Sequence, residues 1–192
     1  MTKSAEHAAE SLRHFTGRQD GQPTCICKTD CARELLKAIR TLGWLRDSSL
    51  PRCWPHNSVL ERSIRTYQEI CRSLHLQAGF ACHHPLWQVT CEYAAISLSR
   101  DKWQKAFNRD WKGPEYILGQ LVLYRTKYQE KFKLSPNASP ALFAGWKLEF
   151  GFRYQGICKV VDYDSFEKGK LSIILVPDRE LYVRDEIVFP LL

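Results

Sequence analysis

The chain has 192 residues, 44% of them hydrophobic, which fits one ordinary domain or a domain with a small appendage. No apolar run approaches the ~18 residues of a membrane span, and no charged n-region with an apolar h-region opens the chain, so neither a membrane protein nor a secreted one is expected. Eight cysteines without paired spacing point to reduced thiols inside a cell, and 28 Lys+Arg against 21 Asp+Glu, a net charge of +7, admits a polyanion as partner.

Residues 4–16, "SAEHAAESLRHFT", place Ala8, Leu12 and Phe15 at helical spacing and predict a short amphipathic helix. "GRQDGQP" reads as a turn. Residues 24–30, "TCICKTD", alternate Cys and Ile as a short strand, with Asp30 at its C-terminal end. "ARELLKAIRTLG" is a helix with Leu35, Leu36, Ile39 and Leu42 inward and Gly43 as its stop. A brief strand at 43–46 follows. A long helix then starts at Asn57 or Ser58 and runs to about Gln77, stopped by Gly79, with Leu60, Ile64, Tyr67, Cys71 and Leu74 on its inward stripe. Another helix covers roughly 85–108.

From Trp111 the texture changes. Gly113 and Pro114 punctuate a boundary, and "YILGQLVLYRT", "ALFAGWKLEFG", "GICKVVDYD" and "KLSIILV" are short β-type runs separated by turns. The chain is therefore α/β over 1–110 and a small antiparallel β-rich unit over 111–192. No internal repeat or low-complexity segment is present.

Two acids stand out. Ser58-Val59-Leu60-Glu61 is a capping box, in which the serine oxygen accepts from the Glu61 amide and the glutamate reaches back to the Ser58 amide. On another helical face Glu61, Arg65, Gln68 and Arg72 line up at i, i+4, i+7 and i+11, which suits either a metal site beside a phosphate backbone or a solvated face. Asp30 ends a strand, and in an α/β sheet the C-terminal strand ends gather at one rim where sites are built. Asp30 and Glu61 are expected to converge there.

At these residues the chain resembles the copia-type retrotransposon integrases, which belong to the DDE polynucleotidyl transferases. "KTDCARELL" is similar to the family's D-N-G-x-E-F/Y motif behind a hydrophobic strand, with Asp30 on the second family aspartate and Glu34 on the acidic position. "PHNSVLERSIRTYQE" resembles the P-x-x-N-G-x-x-E-R pattern before a long helix, with Glu61 on the catalytic glutamate and Arg62 after it. "LQAGFACHHPLWQVTCEYAAISLSR" and "FKLSPNASPALFAGWKLEFGFRYQG" resemble the segments that follow in the family, so the likeness extends over roughly residues 4–165. Cys31-Ala32 stand where the family has Asn-Gly, and Ser58 stands where it has Gly.

The resemblance implies a partial ribonuclease-H-like integrase core, of about two strands plus helices, over 1–110. It implies metal-dependent cleavage and transfer of DNA strands, with Asp30 and Glu61 as catalytic residues and as ligands of Mg²⁺ or Mn²⁺, hard cations that oxygen donors hold. The first family aspartate and the three strands that open the family sheet have no counterpart here. An N-terminally truncated core, catalytically dead or severely impaired alone, is therefore expected, with an apolar edge on the strand at 24–28 and helical stripes short of cover. DNA is the implied partner, no membrane is, and a homo-oligomer is compatible. The setting is intracellular, and nuclear in a functional copy.

A different class of function, a non-catalytic nucleic-acid-binding remnant, rests on basic residues. Arg62, Arg65 and Arg72 share the long helix. The segment 100–133 holds nine basic residues, among them Lys102, Lys105, Arg109 and Lys112, against four acidic ones, a net of +5. Trp103, Phe107 and Trp111 interleave with them, either as stacking platforms for bases or as core. Zinc is not expected, because Cys25, Cys27, Cys31, Cys53 and the run Cys82-His83-His84 lack structural-site spacing. No Walker-type loop and no G-x-G-x-x-G is present.

Overall fold

The computed structural model describes residues 4–17, 25–29, 32–48, 58–81, 84–108, 110–125 and 137–192. Their elements are α1 (Ala5–Thr16), β1 (Ile26–Thr29), α2 (Arg33–Thr41), β2 (Leu45–Ser48), α3 (Ser58–Gln77), α4 (Trp87–Phe107), β3 (Leu121–Arg125), β4 (Ala138–Glu149), β5 (Arg153–Asp162), α5 (Tyr163–Glu167), β6 (Ile173–Pro177) and β7 (Leu181–Tyr182). β1 and β2 form a parallel pair, and the other five strands an antiparallel sheet in the order β6-β5-β4-β3-β7. The fold is α/β followed by a β-rich antiparallel unit. Among the described residues no helix is long and apolar enough to cross a membrane.

The chain divides into two compact units, residues 1–65 with 149–153, and 66–148 with 154–192. The change of texture at residue 111 falls inside the second.

In the first unit, Ser4 caps α1 by accepting from the His7 N–H at 3.3 Å, as serine does where the first-turn amides lack helical partners. The buried stripe of α1 differs by one residue from the sequence expectation. Ala9 is fully buried, Leu12 half-buried, and Phe15 is largely exposed with its ring edge-on to Phe152. α1 packs on α2, which buries Ala38 and Ile39 and also contacts β2. β2 begins two residues later than expected. The Leu45 N–H donates to the Cys25 carbonyl at 2.8 Å and sets Ile26 beside Leu45. That cross-strand pair is exposed, at 73% and 59%. Val59, Leu60 and Ile64 at the start of α3 are exposed too, although Leu60 and Ile64 were expected to face inward.

The second unit holds the larger core. β4 is the middle strand, and residues 141–146 are buried without a break, the pattern of a strand covered on both faces. Pro140 is the third residue of β4, where the missing donor removes at most one ladder bond. From α4, Tyr93 stacks on Trp146 at 4.9 Å and its hydroxyl donates to the Tyr116 carbonyl at 2.9 Å. The Tyr67 hydroxyl of α3 donates to the Cys91 carbonyl at 2.9 Å. Asp162 ends β5 and caps α5 by accepting from the Ser165 N–H at 2.8 Å, and it also accepts from the Tyr124 hydroxyl at 2.8 Å. Burial, reinforced by that carboxylate, pushes the Tyr124 phenol up to about 12.

The junction between α3 and α4 is built on two imidazoles. His75 is buried, with Nδ1 3.0 Å from the Thr90 hydroxyl and Nε2 2.9 Å from the Ala81 carbonyl. His84 stacks on Phe80, and its Nδ1 accepts from the Leu86 N–H at 3.2 Å. Burial, and then the neighbouring His75, lowers the His84 pKa below 6.5. The folded state thus favours neutral His84, while the unfolded chain takes up its proton from pH 6.5 downward. Stability present above that pH is lost as pH falls through it and towards the lower folded pKa. Thermal melts should therefore drop between pH 7.5 and pH 5.5, and the drop should shrink in His84→Gln, whose side-chain oxygen still accepts from Leu86.

Candidate functional site

Parallel pairing puts the C-terminal ends of β1 and β2 at one rim of the first unit, where Thr29 sits beside Ser48. Thr29 is buried, and Asp30, the next residue in the chain, lies outside the described residues. One position before the end of β2, Asp47 pairs with Lys28 across the strands, Oδ2 to Nζ, at 4.0 Å. Both side chains are more than half exposed, so the pair adds little stability. Asp47 is an acid at the strand-end rim that the sequence analysis passed over. The signal was available, because the rule that selects Asp30 also selects the acid in "LRDSS".

Glu61 lies in the first turn of α3, where the unpaired amides of a helix start favour a carboxylate, and its side chain is exposed. Ser58 opens that helix, but its side chain is outside the described residues, as is the capping box built on it. The convergence of Asp30 with Glu61 likewise falls outside them. Among the described residues no group of three or more His, Cys, Asp or Glu is placed to hold a metal ion.

The basic residues on α3 are exposed as a row. Glu61, Arg65, Gln68 and Arg72 all face solvent, and so does Arg62. In the second unit Lys102 and Lys105 are exposed near the end of α4, and Lys112 follows in the connection to β3, while Arg109 lies outside the described residues. Arg100 is engaged, with Nε 3.2 Å from Asp101 Oδ1 and Nη1 3.4 Å from Glu115 Oε1. Trp111 is a packing residue. Half-buried, its ring meets Trp146 edge-on at 5.4 Å and lies tilted against Tyr154 at 5.5 Å. The side chains of Trp103 and Phe107 are outside the described residues.

Of the cysteines weighed for zinc, Cys25 and Cys27 are half-buried free thiols on β1 and the residue before it, while Cys31, Cys53, Cys82 and His83 lie outside the described residues. Burial, and then Cys25, pushes the Cys27 thiol up, which works against the thiolate that a metal or an electrophile needs. Cys158 is fully buried and pushed by its burial up to about 11; the Tyr154 hydroxyl, 3.2 Å from its sulfur, also donates to Asp178 at 3.1 Å.

No protein-family model matches the chain, and no curated protein does. Among solved structures it is similar to a chain of the cryoEM structure of the simian T-cell lymphotropic virus intasome in complex with PP2A regulatory subunit B56 gamma, with 13% identity and a TM-score of 0.41. The match covers 95% of this chain and 66% of that chain, so this chain spans just under two thirds of the neighbour's length.

Proposed function

We propose that this chain is a fragment of the retrotransposon integrase lineage, of the copia type, whose ancestral activity is metal-dependent cleavage and transfer of DNA strands, and that it is inactive on its own. The observation that carries this reading is the order of elements around the two acids. A strand ends one residue before Asp30, α2 leads to a parallel strand, and the 20-residue helix α3 then carries Glu61 in its first turn. Asp30 and Glu61 are the hard oxygen donors that Mg²⁺ or Mn²⁺ prefers, and such ions supply an activated oxygen nucleophile and a stabilised leaving oxygen. Two carboxylates are too few for a pair of ions, and the resemblance supplies no counterpart of the first family aspartate. What Asp30 and Glu61 contribute is half a site at a strand-end rim.

Calorimetric titration with Mn²⁺ tests this. Weak binding that both Asp30→Asn and Glu61→Gln abolish is the expected result. Identical heats in the parent chain and in both variants would remove the two acids from any shared site.

The exposed row on α3 favours a second reading, in which the chain binds DNA without catalysis. Arg62, Arg65 and Arg72, with Lys102, Lys105, Arg109 and Lys112, would contact phosphates and position the duplex without reading its sequence. Each phosphate contact contributes about 0.9 to the slope of log K against log salt. Replacing the three arginines by alanine should therefore lower that slope by roughly 2–3, while Glu61→Gln leaves DNA binding unchanged. An unaltered slope in the triple variant would exclude the α3 face as the contact.

A further inference from the structure

Within the second unit, α3 carries Tyr67, Cys71 and His75 at four-residue spacing, one above the other on one helical face. Both ends of that row meet the same short stretch of α4. The Tyr67 hydroxyl donates to the Cys91 carbonyl at 2.9 Å, and His75 Nδ1 lies 3.0 Å from the Thr90 hydroxyl. Cys71 stands between them and so faces Cys91. Its thiol is hydrogen-bonded to the Cys91 thiol and to the Tyr67 hydroxyl, and both cysteines are free. Facing positions on packed helices bring Cα atoms to roughly the 4.4–6.8 Å that a disulfide spans.

The two thiols differ in access. Cys71 is 1% exposed, whereas Cys91 is only half-buried. Burial pushes the Cys71 thiol up, so it stays protonated and inert until the sulfur beside it becomes electrophilic. Cys91 is the sulfur that a small oxidant reaches first. We propose that Cys71 and Cys91 are a redox-active pair, in which a hydroperoxide oxidises Cys91 and Cys71 then closes a disulfide that clamps α3 to α4. The Cys91 thiolate attacks one peroxide oxygen; an S–O bond forms, the O–O bond breaks, and the departing hydroxide takes up a proton and leaves as water. The Cys71 thiol gives up its proton and its sulfur attacks the Cys91 sulfur. An S–S bond forms, the S–O bond breaks, and hydroxide leaves with that proton as a second water. Two thiols lose two electrons in all, and one peroxide is reduced to two waters. A thiol reductant reverses the bond by exchange, as with the transient disulfides of reducing compartments.

Hydrogen peroxide added to the folded full chain is the probe. Peptide mapping without reduction should find the tryptic peptide 66–72 joined to the peptide 73–100, with fragmentation placing the bond at Cys91 and not at Cys82. The bond closes the loop from residue 71 to residue 91, so oxidation should raise the thermal midpoint by about 5–10 °C, and dithiothreitol should reverse the rise. Cys91→Ala should abolish both the cross-link and the rise, while Cys82→Ala should leave both in place. If a variant fails to fold, the mapping on the parent chain still decides. Oxidation of the parent chain in urea should scatter Cys71 among several partners, as a bond selected by the fold requires. Cys71 recovered as a free thiol while Cys91 is carried to the sulfinic or sulfonic acid would overturn the proposal, and so would Cys71 joined to a different cysteine in the folded chain.

Discussion

Phe143→Ala should lower the stability of the second unit by about 4 kcal/mol, a large part of what a domain has to lose. Phe143 is fully buried on the central strand β4, and three aromatic rings meet it edge-on: Tyr116 at 5.3 Å, Trp146 at 5.5 Å and Tyr93 at 6.4 Å. Truncation removes the transfer free energy of the ring and leaves a cavity that stiff neighbours cannot close, and it also removes the edge-to-face contacts, worth roughly 0.5–1.5 kcal/mol each. The backbone is not disturbed, because the Phe143 N–H still donates to the Gln120 carbonyl and its own carbonyl still accepts from the Gly119 N–H. Urea denaturation followed by tryptophan fluorescence measures the loss. Phe143→Leu, which keeps most of the volume, should cost roughly a third as much. A loss below about 1.5 kcal/mol for the alanine variant would mean that this cluster is not the core.

Gly119→Ala should cost about 3 kcal/mol at a position that no residue count would single out. Gly119 has φ +78 in the turn that feeds β3, and a Cβ there would lie 2.5 Å from the Cβ and 2.9 Å from the Cα of Ala78. Left-handed backbone costs a residue with a Cβ roughly 1–2 kcal/mol, and forcing an atom into a closed contact adds about 1–3. Relief by local movement is restricted. The Gly119 N–H is bonded to Phe143, and the buried Gln120 side chain accepts from the Ile117 N–H at 3.0 Å across the same turn. Gly169→Ala separates the two contributions, because Gly169 has φ +73 with nothing within 4 Å of a Cβ. That control should cost about 1 kcal/mol, and equal losses at the two sites would show that the Ala78 contact is harmless.

The elements around the candidate acids were legible to different degrees. Glu61 in the first turn of a helix ending at Gln77 followed from a starting signal, a helical period sustained over twenty residues and a stopping glycine, all of them local. The strand before Asp30 and the helix after it were legible for the same reason. Asp47 stands one position before the end of a strand as short as β1, four residues each, and the parallel pairing of the two is what places it at the rim where β1 ends. Trp111 could equally have been a stacking platform or core by sequence, and its packing on Trp146, 35 positions later, decided the matter.

By itself, the amino-acid sequence determined the helices, most of the strands and the basic face of α3, since these depend on periodicity and punctuation among neighbouring residues. Tertiary structure decided what those patterns meet. Ile26, Leu60 and Ile64 belong to apolar patterns, yet they are exposed, because periodicity selects a face without supplying its cover. The strand order put β4 in the middle of its sheet and β6 and β7 at the two edges. Strand order and register are settled by contacts between residues far apart in the chain, and no local pattern encodes them.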